Sequence, residues 1–164
     1  MSPQDIVVLL KIVGYGSTPW QQQPLAESLF LSQSEVSKSL ARSRFAGLLD
    51  GSGKRVNKQA LLAFLQCGIA YVFPVRPGPL VRGTPTAHSA PPLNAIIQQN
   101  GDYVWPSAKG KVRGQAIAPL YENAVKAVQN DPALHEFLGL VDALRVGKAR
   151  EKELAAEELK KRLL

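Results

Sequence analysis

The side chains with the clearest chemical potential lie in the stretch SQSEVSKSLARSR, between Ser32 and Arg44. Ser32 and Glu35 have the spacing of a capping box, in which each side chain bonds the other residue's backbone amide, so a helix is predicted to begin here. Val36 and Leu40 lie four residues apart and would face the protein interior. The opposite side would then present hydroxyl, amide and cationic side chains: Gln33, Ser34, Ser37, Lys38 and Arg42, with Arg44 at its flank.

These residue types suit contact with double-stranded DNA. Short hydroxyls and an amide near the start of a helix hydrogen-bond base edges, and cations further along neutralise phosphates. The solvated face of an ordinary helical bundle carries similar residues, and that alternative stays open for this helix taken alone. DNA contact is favoured because the cap, the spacing, the polar face and a basic loop that follows agree with one another. Arg42→Ala is accordingly predicted to weaken DNA binding and to make its salt dependence shallower by about one unit.

Two helices are predicted to position this one. Ser2 suits the N-cap and Pro3 the first turn of a helix that ends near Gly14, and a shorter helix is predicted over residues 24–30. A short helix, a turn of about three residues and a second helix that begins at Ser32 have the geometry of a helix-turn-helix. The second helix of such a unit lies in the major groove of DNA.

The segment from Leu25 to Leu49, LAESLFLSQSEVSKSLARSRFAGLL, is followed by DGSGKRV, a tight hairpin or flexible loop with Lys54 and Arg55 at its exit. Residues 6–56 resemble the winged-helix head of bacterial regulators of the MarR type. The resemblance implies that the helix after "LS" reads the groove and that the hairpin after "GLL", the wing, touches the flanking minor groove or backbone. It implies DNA contact by the following residues: Gln33, Ser34, Ser37, Lys38 and Arg42 in the helix, and Lys54 and Arg55 in the wing.

The remainder of the chain divides at a proline-rich stretch. Residues 74–92 contain six of the 12 prolines and are predicted to form an extended connection. This places a DNA-binding domain at 1–73 and a C-terminal α+β or helical part at 93–164. In that part DYVWPS and KVRGQAI are predicted strands joined by AKGK, and IAYVFPV before the prolines is a predicted short strand.

One apolar stripe in the C-terminal part recurs at helical spacing. Its members are Leu134, Phe137, Leu138, Val141 and Leu144, followed by Leu154, Leu159 and Leu163. It is a candidate interface between two copies of the chain or with a protein partner. Intrachain core is the equal alternative.

Composition bounds the function classes. The formal net charge is +7, and the basic surplus lies before residue 119, which favours a polyanionic partner. No run approaches membrane-spanning length, and the start lacks a basic n-region, so a cytoplasmic location with no membrane partner is expected. His88 and His135 have no metal-ligand spacing, and Cys67 is predicted to be buried and inert. No catalytic residue, cofactor or metal is therefore expected, and an enzyme is not the favoured class.

The sequence thus predicts a mainly α (α+β) protein with a winged helix-turn-helix head. The expected function is sequence-specific transcriptional regulation, with repression by a homodimer on two-fold sites. One alternative is an antitoxin-like module that binds a protein partner through residues 119–164 and represses its own operon. Another is an RNA-binding protein that uses the basic loop 109–113 beside Tyr103 and Trp105.

Overall fold

The computed structural model describes residues 1–98 and 100–164. In these residues the helices are α1 (Pro3–Gly14), α2 (Gln22–Ser28), α3 (Gln33–Phe45), α4 (Lys58–Cys67), α5 (Ile69–Val72), α6 (Ala124–Val128), α7 (Pro132–Val146) and α8 (Ala149–Leu163). The strands are β1 (Leu80–Pro85), β2 (Tyr103–Pro106) and β3 (Val112–Ala116). The prediction of a mainly helical α+β fold is confirmed.

The first three helices form a compact unit in which α1 and α2 both pack against α3. Helix α1 begins at the predicted N-cap, Ser2, with Pro3 in its first turn, and its run from Ile6 to Leu10 is entirely buried. Helix α2 ends at Ser28, and four residues separate it from the start of α3. The predicted helix starts and stops in this region are confirmed to within about two residues.

A hairpin-like segment connects α3 to α4. Gly47 adopts a positive φ of 79° after α3, where a residue without Cβ is least strained. Leu49 and Val56 then form an antiparallel bridge, and the amide of Asn57 donates to the carbonyl of Leu48 at 2.8 Å. The chain therefore returns on itself over residues 48–57, with its tip at 51–54, before Asn57 caps α4.

The prediction of a strand at IAYVFPV is wrong. Ile69–Val72 is the short helix α5, in which the Val72 amide donates to the carbonyl of Gly68 at 3.0 Å. The β-branched composition favours a strand, but Ile69 is buried in a core built from helices, and this packing outweighs the local preference. Pro74, which follows the next residue, cannot continue the helix.

The three strands pair so that each contacts the other two and the sheet closes. Strand β1 is antiparallel to both β2 and β3, whereas β2 and β3 are parallel to each other. The two strands predicted on either side of AKGK are present as β2 and β3, but the partner that both share, β1, lies inside the proline-rich stretch, where no strand was predicted. Close approach requires glycine here, because a Cβ on Gly83 would overlap the carbonyl of Trp105.

The C-terminal helices complete the core. Asp131 caps α7 by accepting from the amide of Leu134 at 3.0 Å, as the Asn-Asp-Pro sequence predicts. The apolar stripe considered as an interface is buried within the chain, except for half-buried Leu154. Its proposed use as a dimer or partner surface is therefore not available, since α1, α5 and α8 already pack on α7. The buried residues from Ile6 to Leu163 form one hydrophobic cluster.

Candidate nucleic-acid interface

The outward face of α3 carries five polar side chains that have no partner in the described residues. Gln33, Ser34, Ser37, Lys38 and Arg44 are exposed, and in residues 1–98 and 100–164 their side chains make no hydrogen bond or ion pair. The inward face carries Val36 and Leu40 as predicted, and these are buried. Both halves of the capping box are present, because Ser32 Oγ accepts from the Glu35 amide at 3.1 Å and Glu35 Oε2 accepts from the Ser32 amide at 2.7 Å.

A buried carboxylate fixes the orientation of α3. Asp5 of α1 is fully buried, and Arg42 of α3 donates to it through Nε at 2.9 Å and Nη2 at 2.7 Å. Ser39, one turn before Arg42, donates its hydroxyl to the same carboxylate at 2.7 Å. The amide of Ser2 supplies a fourth donor at 2.8 Å. A bidentate arginine pair fixes direction as well as distance, so this cluster holds the two helices in one relative orientation.

Burial alone would raise the pKa of Asp5, but hydrogen bonds from Arg42 and Ser39 outweigh it and the pKa lies below the ordinary value. The cluster changes the role predicted for Arg42. Its side chain is 36% exposed and two of its three nitrogens are occupied by Asp5. Sequence reasoning missed Asp5. The available signal was an acid at the start of an otherwise apolar helix, which is also explained by its capping box with Ser2.

The segment 48–57 is organised around the Asp50 carboxylate. Asp50 Oδ1 accepts from the Ser52 hydroxyl at 2.6 Å and from the amides of Lys54 and Arg55 at 3.3 Å each. The Ser52 bond is the main cause of a lowered pKa at Asp50. This turn leaves the side chains of Lys54 and Arg55 exposed at its exit, where both were predicted.

Trp20 joins this segment to the turn that precedes α2. Lys54 Nζ lies 4.3 Å from the centre of the Trp20 ring, and Trp20 Nε1 donates to the Lys54 carbonyl at 3.1 Å. Trp20 is half-buried against the core, so it both packs inward and holds the loop. Together with Arg55 and Lys58 it rims an open depression of about 710 Å³.

Trp20→Leu should lower the free energy of unfolding by about 1–2 kcal/mol, because it removes an exposed cation–π contact, a hydrogen bond and part of the packing. Urea unfolding followed by far-UV circular dichroism measures the loss. The matched control is Lys58→Met, which neutralises an exposed cation of the same depression and should change stability by less than about 0.5 kcal/mol. Equal stability of the Trp20 variant and the wild type would contradict the structural role given to this contact.

The aromatic residues expected to help a single-stranded nucleic acid are not available for stacking. Trp105 is 1% exposed and donates Nε1 to Asp142 at 2.7 Å. Tyr103 is half-buried with its ring against His88, 4.6 Å between centres. The cations of the loop 109–113 are nonetheless exposed. The prediction of exposed cations in this region is therefore confirmed, and the prediction that aromatic rings lie exposed among them is wrong.

The two histidines contact backbone carbonyls. His88 Nε2 and His135 Nε2 lie 3.0 Å and 2.8 Å from the backbone carbonyls of Gly101 and Pro85, respectively, which are structural contacts. Across 1–98 and 100–164 there is no group of three His, Cys, Asp or Glu side chains placed to hold a metal ion. Cys67 is exposed, so the prediction that it is buried is wrong; the cysteine is the last residue of α4 and points away from the core. None of the described helices is both long and apolar enough to cross a membrane.

The structure thus brings seven of the eight predicted contact residues to exposed positions on two adjoining elements, α3 and the segment 48–57, and assigns Arg42 to an internal ion pair. Comparison of the chain with family models, curated proteins and solved structures gave no match.

Proposed function

We propose that the first three helices and the segment 48–57 form a winged helix-turn-helix that binds duplex DNA sequence-specifically, with α3 in the major groove. The observation that supports this most is the asymmetry of α3. Its inner side is held by a buried carboxylate and apolar packing, while the outer side offers hydroxyl, amide and cationic groups with no partner among the residues that the structure describes. Groups that form no bonds within the protein remain available for a ligand.

The two functions of the interface fall on different residues. Gln33, Ser34 and Ser37 lie in the first turns of α3, where a recognition helix meets base edges, and give sequence preference. Lys38 and Arg44 on the helix neutralise phosphates, as do the wing residues Lys54 and Arg55. Arg42 seats α3 on α1 through two nitrogens, and its Nη1 is the nitrogen left for a phosphate.

Lys38→Ala is the cleanest test of phosphate contact, because the Lys38 side chain has no partner to lose in the described part of the chain. We expect the slope of log affinity against log salt to become shallower by about one unit, and affinity near 0.1 M salt to fall on the order of ten-fold. Fluorescence anisotropy with a labelled duplex measures both quantities. Lys160→Ala removes an equal charge from an exposed position on α8 and should leave the slope unchanged. Equal effects of the two substitutions would argue against contact at α3.

Selection of bound duplexes from a random pool tests sequence specificity. The wild type should enrich a defined motif, whereas Ser34→Ala with Ser37→Ala should bind duplexes with relaxed preference. Recovery of no motif by the wild type would overturn the proposal of specific binding.

Regulation of transcription, with repression by occupation of a promoter site, follows from this proposal. A homodimer is part of it, because a single recognition helix makes limited contact and two-fold sites suit two-fold proteins. A palindromic motif in the selected duplexes, together with a dimeric mass in sedimentation, is the expected result. The alternative of a partner-binding module rested on an apolar stripe that is buried in the chain, so it is not proposed.

A further inference from the structure

The pairing of β1 with β3 places two arginines side by side. In the antiparallel register Arg82 lies directly opposite Arg113, and Leu80 lies opposite Gln115. Residues opposite each other in a sheet project on the same face, and all four of these side chains are exposed. At the alternate positions, which face the other way, Gly83 and Gly114 are buried and Val81 and Val112 are half-buried. The outer face of this two-stranded pairing, which we call the arginine ribbon, is thus defined by Leu80, Arg82, Arg113 and Gln115.

This arrangement is unfavourable for folding. Opposing side chains on a sheet have Cβ atoms roughly 4.5–5.5 Å apart, and like charges at that separation destabilise the pairing. Nothing in the described part of the chain offsets the cost, because neither Arg82 nor Arg113 forms an ion pair there. Asp102, the single acid between residues 76 and 118, is exposed beside Gly114, and in the described part of the chain it forms no ion pair with Arg82 or Arg113.

Further cations extend the ribbon at both ends. The loop 107–111 folds back on β1, where the Ser107 amide donates to the Arg82 carbonyl at 3.0 Å, and it exposes Lys109 and Lys111. At the opposite end the Gly78 amide donates to the Ala116 carbonyl, and exposed Arg76 lies two residues before Gly78. The basic surplus of this part of the sequence is therefore gathered along one exposed ribbon.

The chemistry of the ribbon suits phosphates more than bases. Single-stranded nucleic acids are bound on exposed aromatic rings as well as cations, and the aromatic residues of this sheet, Tyr103 and Trp105, are half-buried and buried. A duplex presents phosphates without unstacked bases, so cations alone match it. We propose that the arginine ribbon is a second contact surface for duplex DNA, bound through the phosphate backbone and independent of sequence. This rests on the proposed DNA-binding function and adds a surface outside α3 and the wing.

The test compares a double variant, which carries both Arg82→Gln and Arg113→Gln, with the wild type. The matched control, Lys152→Gln with Lys160→Gln, removes the same charge from exposed positions on α8. Anisotropy titrations use a 30-base-pair duplex of random sequence and a single-stranded RNA of equal length, at salt concentrations between about 50 and 200 mM. For the ribbon variant on duplex we expect a salt slope shallower by about two units and affinity weaker by roughly 10–100-fold near 0.1 M salt. Its urea unfolding midpoint should equal or exceed that of the wild type, because a like-charge pair is gone.

The outcomes separate this proposal from the proposed function. An unchanged slope in the ribbon variant, while Lys38→Ala weakens binding, overturns the ribbon and leaves α3 in place. A shallower slope in the ribbon variant, while Lys38→Ala leaves binding unchanged, supports the ribbon and counts against contact at α3. Equal slope changes in the ribbon and control variants, or a lower urea midpoint in the ribbon variant, overturn a specific phosphate-binding role for the arginines. A larger loss on single-stranded RNA than on duplex overturns the choice of duplex, and a wild type that binds no duplex overturns both proposals.

Discussion

Arg42→Met is expected to lower the free energy of unfolding by about 2–4 kcal/mol at neutral pH. The substitution keeps an apolar stem of similar length but removes both charged hydrogen bonds to Asp5, a carboxylate with no exposed surface. Removal of one partner from a buried pair leaves the other charge without compensation, and this accounts for most of the cost. The expected loss lies toward the lower end of the range for broken buried ion pairs, because the arginine side chain is partly exposed and water reaches it. Urea unfolding at pH 7 measures the change.

The pH dependence of this loss identifies its cause. In the wild type the pKa of Asp5 is lowered from 3.8, so its contribution to stability is present above that value and is lost as the pH falls through the folded-state pKa. Without the guanidinium, burial dominates and raises the pKa of Asp5, so the variant takes up a proton on acidification. The stability difference between the two proteins should therefore begin to narrow above about pH 4, where the variant takes up this proton, and should narrow further below about pH 4 as the wild type loses its contribution. Arg44→Met, an exposed arginine of the same helix, should change stability by less than about 0.5 kcal/mol. A constant difference across pH would contradict the assignment to Asp5.

Asp142→Asn is expected to lower the free energy of unfolding by about 3–5 kcal/mol. The carboxylate is buried in α7 and accepts from Thr86 Oγ1 at 2.6 Å, Trp105 Nε1 at 2.7 Å and Arg145 Nη1 at 2.8 Å. Complete burial holds the pKa of Asp142 above its ordinary value even though these three donors favour the charged form. The substitution leaves the Arg145 charge buried without a carboxylate, and it introduces an amide donor among groups that are all donors. Loss of this anchor should loosen the closed sheet that carries the arginine ribbon.

A double-mutant cycle separates the charge pair from simple loss of packing. Asp142→Asn combined with Arg145→Met should cost less than the sum of the single changes, because the buried cation is removed along with its partner. Arg145 also donates to the carbonyl of Phe73 at 2.8 Å, so Arg145→Met alone should also lower the free energy of unfolding. Glu153→Gln, an exposed acid on α8, serves as the control and should be within about 0.5 kcal/mol of the wild type. Strict additivity of the two single changes would contradict a coupled ion pair.

The local features of α3 and the turn after it were predictable because they depend on residues close in sequence. The cap at Ser32 and the stripe of Val36 and Leu40 involve spacings of three and four residues, which a helix fixes by itself. The exposed positions of Ser34 and Lys38 follow from the same geometry. Sequence reasoning thus located the outward face of α3 and the basic turn after it.

Features that depend on distant partners were missed. Asp5 and Arg42 are 37 residues apart, and no spacing rule connects an acid in one helix to a cation in another. Strand β1 lies among prolines, which argue against a strand, and only its pairing with residues 19 to 35 positions later makes it one. The α5 segment has β-branched residues, but its surroundings are helical. The apolar stripe on α7 predicted buried side chains, but its pattern does not distinguish burial within one chain from burial at an interface.

The outward face of α3 is the element on which the functional account depends, and amide chemical-shift mapping tests it directly. The chain, 17.8 kDa, is titrated with a duplex recovered from the random pool while its backbone amide signals are followed. We expect the largest shifts in residues 33–44 and 51–56, with smaller ones along the arginine ribbon. Saturation of the protein by duplex with the α3 amides unmoved would contradict it.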